Sequence, residues 1–294
     1  MSIMFMKKLS LFFVAICISV ATFAQFSGSG SGTKDDPYLI FNPIQLDQVR
    51  NFVGKYVYFK LMTDIDLTEF IADNYPTEGW LPIGNSNKSA YFSGEFDGNG
   101  KTISGLWINR PKTNYVGLFG YVAGSTTSIK NLTLKDANIK GGVSVGGVVG
   151  YGRDFSMDSV TFSGNVIGNS GSVGGITGSV GGIIGDAYYS CSFRNIIVYG
   201  EIAGSSEVGG IVGHAYEKLT IKRCMSFVKL LSSGNYCGGI CGYVYSGSLE
   251  NNYSHCKITS NGNYIGGIVG YAKGDIYDNY TTGTLVSKNG KMGG

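Results

Sequence analysis

The chain has 294 residues, with 23 lysines and arginines against 20 aspartates and glutamates, 47 glycines and five prolines. So even a charge balance removes the electrostatic case for a nucleic-acid partner. Glycine at about twice its average usage, without a Gly-X-Y period, excludes collagen and favours a turn-dense β protein.

Residues 1–24 read as an export signal. Lys7 and Lys8 form a charged start, Leu9 to Val20 an apolar run too short to span a bilayer comfortably, and Thr22 and Ala24 the small positions before a cut at Gln25. Cys17 follows Ile16, where a lipoprotein signal would place a small residue, so lipidation is not expected. Removing this leader takes two positive charges, leaving 23 − 2 = 21 basic against 20 acidic residues. The expected destination is the cell surface or the medium, with no transmembrane segment after cleavage.

Residues 25–115 read as an N-terminal cap together with the first coils of the following architecture. Ile44, Leu46, Val49, Phe52 and Val53 have a short helical spacing, and Tyr56 to Leu61 then reads as a strand. Asp97-Gly-Asn-Gly100 signals a turn before alternation resumes at Lys101 to Leu106. It lacks the ligand series of a calcium loop. The acid pairs Asp35-Asp36 and Asp64-x-Asp66 also lie here, and a structural role is expected for both.

From residue 116 to the end an internal repeat dominates. Val145-Gly-Gly-Val-Val-Gly150 recurs as Val180 to Gly185, Val208 to Gly213, Cys237 to Gly242 and Ile265 to Gly270, with a degenerate first copy at Val116 to Gly120. The starts at 116, 145, 180, 208, 237 and 265 are separated by 29, 35, 28, 29 and 28 residues. The long interval contains a seven-residue duplication, Gly171 to Ile176 repeated as Gly178 to Ile183, and 35 − 7 restores 28. A second column, Ile129, Met157, Phe193, Ile221, Leu249 and Ile276, keeps the same period, and a third runs through Val166, Ile202, Leu230, Ile258 and Leu285.

Between these landmarks apolar and polar residues alternate, as short strands with one buried face do. A unit of about 28 residues cannot bury its own apolar face, but stacking units pairs every strand edge and makes a continuous core. The expected fold is all-β, a parallel, right-handed β-helix with an N-terminal cap. The double glycine is expected to permit positive φ and to let the backbone turn tightly without a Cβ clash.

The repeated Val-Gly-Gly-Ile-Val-Gly, followed by Tyr or His, resembles the GLUG motif family. Gly30-Ser-Gly-Thr-Lys-Asp-Asp-Pro-Tyr38, Asp64-Ile-Asp-Leu67, Trp80-Leu-Pro-Ile-Gly84 and Phe92 to Gly100 resemble the region that precedes such repeats. The resemblance implies a β-helix displayed by large bacterial surface and adhesin-like proteins, or the non-catalytic part of some immunoglobulin A peptidases. It implies no particular chemistry.

Candidate sites are few. Cys237 and Cys241 take the columns of Val208 and Val212, Cys224 that of Val160 and Ile196, and Cys191 that of Phe155 and Leu219, so buried thiols are expected rather than disulfides or a zinc site with His255. Cys256 falls in a mixed glycine and valine column and is left open. His214 and His255 are the two histidines, neither in His-Glu-x-x-His, and there is no Gly-x-Ser-x-Gly elbow or P-loop. No cofactor or catalytic group is expected, although a β-helix polysaccharide lyase or glycoside hydrolase is the alternative reading.

The position after the last motif glycine forms a partly aromatic column, Tyr121, Tyr151, Asp186, His214, Tyr243 and Tyr271. Its aromatic members are the candidate surface for an extracellular glycan or a host or matrix protein, while mutual stacking of coils is the plainer role. Asn131, Asn195, Asn251 and Asp278 form a second ladder, expected to stabilise turns by stacked amides. At the C-terminus Met292 falls in the column of Ile265 with no polar cap encoded, so truncation or edge association with another chain is expected.

Overall fold

A computed structural model describes residues 26–85, 90–169, 179–287 and 292–293. Residues 1–24, expected to be an export signal, and the first copy of the seven-residue duplication lie outside the described residues. What is described is a parallel β-solenoid of about 28-residue coils. Every strand pairing in it is parallel, apart from an isolated antiparallel bridge between Gly79 and Ile108.

Each column expected from the repeat is a hydrogen-bonded ladder. Tyr38, Phe59, Phe96, Ile129, Met157, Phe193, Ile221, Leu249 and Ile276 are successive partners. So are Ile139, Val166, Ile202, Leu230, Ile258 and Leu285, and Val145, Val180, Val208, Cys237, Ile265 and Met292. The first column shows that coiling begins at Tyr38, well before the recognisable repeat. Two apolar insertions break the sequence period there: helix Pro43–Gln48 with the turn of 3-10 helix Val49–Phe52, and helix Thr68–Asn74.

The first helix starts at Asn42, whose side-chain oxygen accepts from the Gln45 N–H at 2.9 Å, and Pro43 follows where its missing N–H costs nothing. It buries Leu46 against the first coil, and Phe52 joins a ring cluster with Phe26, Tyr38 and Phe59 at 4.6–6.2 Å between centroids. The N-terminal end of the core is thereby closed by apolar side chains.

Of the two roles expected of the double glycine, the structure shows the avoided Cβ clash and not the positive φ. Among the described residues its members keep negative φ, and the need is for space: a Cβ on Gly209 would collide with the Val212 carbonyl oxygen, and one on Gly210 with Ser226 Oγ and the Gly239 carbonyl. Positive φ falls elsewhere, on glycines outside the motif such as Gly164, Gly200 and Gly283 and on side-chain-bearing residues. Asn131, Ser159, Asn195, Arg223, Asn251 and Asp278 form one corner column at φ 53 to 57°, a conformation that asparagine and aspartate tolerate best.

The asparagine ladder thus stabilises turns, but not by stacked amides. Asn131 Nδ2 donates to Asp97, Asn195 Nδ2 to Asp158 and Asn251 Nδ2 to Glu250, at 2.8–3.0 Å. The amide pair lies one residue later and inside, where Asn252 Nδ2 donates to Asn279 Oδ1 at 2.9 Å.

Candidate functional site

The expected aromatic column is assembled in register: Tyr121 pairs with Tyr151, Tyr151 with Asp186, Asp186 with His214, His214 with Tyr243, and Tyr243 with Tyr271. Alternation along each strand turns the residue before the glycine inward, as with Val149 and Val212, and the residue after it outward. Tyr121 and Tyr151 meet edge to face at 4.8 Å, and Tyr243 and Tyr271 stack at 5.1 Å with 13° between planes.

Sequence reasoning missed two further columns beside it. Two residues past the central column, Tyr188, Tyr216 and Tyr245 stack at 5.5 and 5.2 Å, and Lys273 Nζ lies 4.6 Å from the Tyr245 centroid. Their spacing of 28 and 29 residues was legible, and the step of two along a strand places them on the same face. On the other side Tyr115, Tyr236 and Tyr264 precede the motif's first apolar residue with φ of 59, 62 and 60°. Periodicity gives no hint that these corners are left-handed. Tyr236 and Tyr264 stack at 5.3 Å, and Tyr115 lies 5.0 Å from Tyr151.

The rings therefore stack largely on one another and leave mainly edges and hydroxyls for solvent. Burial, reinforced by Asp186, pushes the Tyr188 phenol up to about 12, and burial also raises Tyr115, Tyr121 and Tyr151. These phenols stay neutral and can both donate and accept hydrogen bonds.

Where the tyrosines give way in the middle of the face there is a buried polar cluster. Asp186 accepts from Ser144 Oγ on one oxygen and faces His214 Nδ1 at 3.1 Å on the other, while Ser179 Oγ donates to Glu207 at 2.8 Å. Burial opposes a charge on His214, but the bonded Asp186 carboxylate, with Glu207 beyond it, outweighs that and holds the imidazole above its ordinary value. Ser144 is bonded to the carboxylate and not to the imidazole, so these three groups lack the serine-to-base contact that activates a nucleophile.

The remaining candidates sit elsewhere. Cys191, Cys224, Cys237, Cys241 and Cys256 are buried free thiols, and Cys256 Sγ accepts from Ser254 Oγ at 3.2 Å. His255 is in register with Thr282 on the outside, separated from the interior Cys237 and Cys241. Among the described residues no group of three metal-ligating side chains comes together, and no helix is long and apolar enough to cross a membrane.

No protein-family model matches the chain. Over 110 residues, 37% of this chain, it is 47% identical to a protein of Evansella cellulosilytica provisionally named a Gly-rich membrane protein. Over 141 residues, 48% of the chain, it is 37% identical to halomucin of Haloquadratum walsbyi. The matched segments amount to 12% and 2% of those two proteins. A solved structure from Bacteroides ovatus, provisionally named an immunoglobulin A1 protease, superposes with a TM-score of 0.66 at 21% identity, covering 88% of this chain and 79% of that one. At that identity the likeness shows the β-solenoid fold alone.

Proposed function

We propose that this is a non-catalytic β-solenoid module displayed at the bacterial surface or secreted, and that its tyrosine face binds an extracellular glycan or matrix protein. The observation carrying the reading is the three-column aromatic face, which runs along the solenoid axis from Tyr115 and Tyr121 to Tyr264 and Tyr271. A surface of neutral phenol edges repeating at the strand spacing of about 4.8 Å suits a hydroxyl-rich polymer lying parallel to the axis.

Several facts support the setting. Residues 1–24 have the pattern of an export signal, the repeats resemble GLUG motifs, and the relatives' own names speak of a membrane protein and a mucin.

The test is a glycan and extracellular-matrix binding array on the purified chain, run beside a polysaccharide depolymerisation screen. Binding that weakens in a Tyr216→Ser, Tyr245→Ser double variant, without turnover, is expected. Depolymerisation of any polysaccharide would replace this reading with a glycan-cleaving enzyme.

A further inference from the structure

The outward flank formed by Met225–Ser232 and Tyr253–Ser260 carries a second group of ligand-like side chains, separate from the tyrosine face. Phe227, Lys229, His255 and Lys257 line a cleft of about 330 Å³ that reaches down to Cys256 and Gly283. That volume lies at the small end of ligand sites, enough for a sugar unit or two.

Its charges are less balanced than those of another outward ladder. One outward ladder runs Asp158, Arg194, Lys222, Glu250, with two cations enclosed by two acids, and Lys222 Nζ donates to Glu250 at 2.6 Å. The ladder at the cleft runs Glu201, Lys229, Lys257, Thr284. Lys229 Nζ donates to Glu201 at 2.8 Å, whereas Lys257 faces a lysine on one side and a threonine on the other and has no partner among the described residues. Like charges opposed on neighbouring strands are unfavourable. An anion in the cleft would supply the acid that Thr284 does not.

Phe227 lines the cleft and belongs to a chain of rings running beside it. Tyr199 stacks on Phe227 at 5.2 Å and 11°, Phe227 meets Tyr253 edge to face at 5.7 Å, and Tyr253 stacks on Tyr280 at 5.7 Å. Tyr280 is 65% exposed. His255 bonds Thr282 through Nδ1 at 2.7 Å. Cationic groups, aromatic rings and polar donors together match a sugar ring that carries an acid. A nucleic acid would ask for a broader basic track than a chain of 21 basic and 20 acidic residues beyond its leader supplies.

We infer that this cleft binds an acidic polysaccharide through Lys229 and Lys257, the anion being a uronate carboxylate or a sulfate ester. The inference stands independently of the tyrosine face.

Calorimetric titration of the full chain with a heparin octasaccharide, an oligogalacturonate, dextran and an oligothymidylate tests it. Binding of either acidic sugar, weakening as salt rises, is expected, and which of the two binds identifies the anion. Lys257→Glu completes the ladder in the manner of Asp158 to Glu250, so it should preserve the fold while lowering affinity about tenfold or more. Glu201→Gln should tighten binding. The inference is overturned if dextran binds equally well, if oligothymidylate binds more tightly than both acidic sugars, if neither acidic sugar binds, or if Lys257→Glu binds like the parent.

Discussion

The interior of the solenoid changes character along its axis. Up to residue 193 its fully buried large side chains include Phe59, Phe92, Phe96, Phe119, Phe155, Phe162 and Phe193. Beyond that the interior also takes in Cys224, Ser226, Asn252, Ser254 and Cys256, all buried. A single ladder shows the change: Phe162, Val198, Ser226, Ser254, Thr281. The backbone ladder tolerates this because each coil is held mainly by hydrogen bonds to its neighbours, so a column's filling can shrink while its register persists.

The contrast predicts different costs for truncation in the two halves. Phe162→Ala should lose about 3–5 kcal/mol in urea unfolding, since a large ring packed over Gly147 leaves a cavity behind. Ser226→Ala, in the same column, should stay within about 1.5 kcal/mol, because its hydroxyl's side-chain contact is a weak one to Cys256 Sγ at 3.4 Å. Equal losses would mean that the two halves are packed alike.

An intermediate cost is expected where the C-terminal half is polar and bonded. Asn252 accepts from the Cys224 N–H at 2.9 Å and donates to the Ile221 carbonyl and to Asn279. Asn252→Ala strands these buried groups and should cost about 1–3 kcal/mol. Hydrogen exchange would localise the loss: the Cys224 amide should lose protection before the Phe193 amide does.

Much of this fold was legible in the sequence because period and register are properties of the chain itself. Once Ile129, Met157 and Phe193 are aligned, parallel stacking dictates which residues touch. The early coils were harder to read because helical insertions such as Pro43–Gln48 separate Tyr38 from Phe59 and Phe59 from Phe96 by unequal lengths. The candidate site was half legible. Tyr121 to Tyr271 follow from the motif, but Tyr115, Tyr236 and Tyr264 depend on a backbone hand that side-chain periodicity does not encode.

The cysteines sharpen the comparison at lower amplitude. Cys237 and Cys241 replace valines in their columns, so changing either to Val conserves packing and should shift stability by less than about 1.5 kcal/mol. Burial pushes the Cys191 and Cys224 thiols up to about 12, and raises Cys237 and Cys241 too, which suppresses the reactive thiolate. The native protein should resist alkylation, and reductant should leave its unfolding midpoint unmoved. A midpoint that falls with reductant would reveal a disulfide.

The smallest effect expected is a pH dependence from His214, where the two halves of the tyrosine face meet. Its folded-state pKa lies above the ordinary value of 6.5 because Asp186 and Glu207 outweigh burial. In the window just above 6.5 the folded chain therefore binds more protons at this site than the unfolded chain, so stability falls as pH rises. The contribution is fully present below 6.5 and gone once pH passes the folded value. His214→Gln should flatten that slope. Ring NMR of His214 should place its midpoint above 6.5, with Tyr188 and Tyr243 resonances moving alongside because both rings pack against the imidazole, at 5.8 and 5.2 Å. A midpoint at or below 6.5 would show that burial outweighs the Asp186 contact, and the face would then carry no proton-linked change in this range.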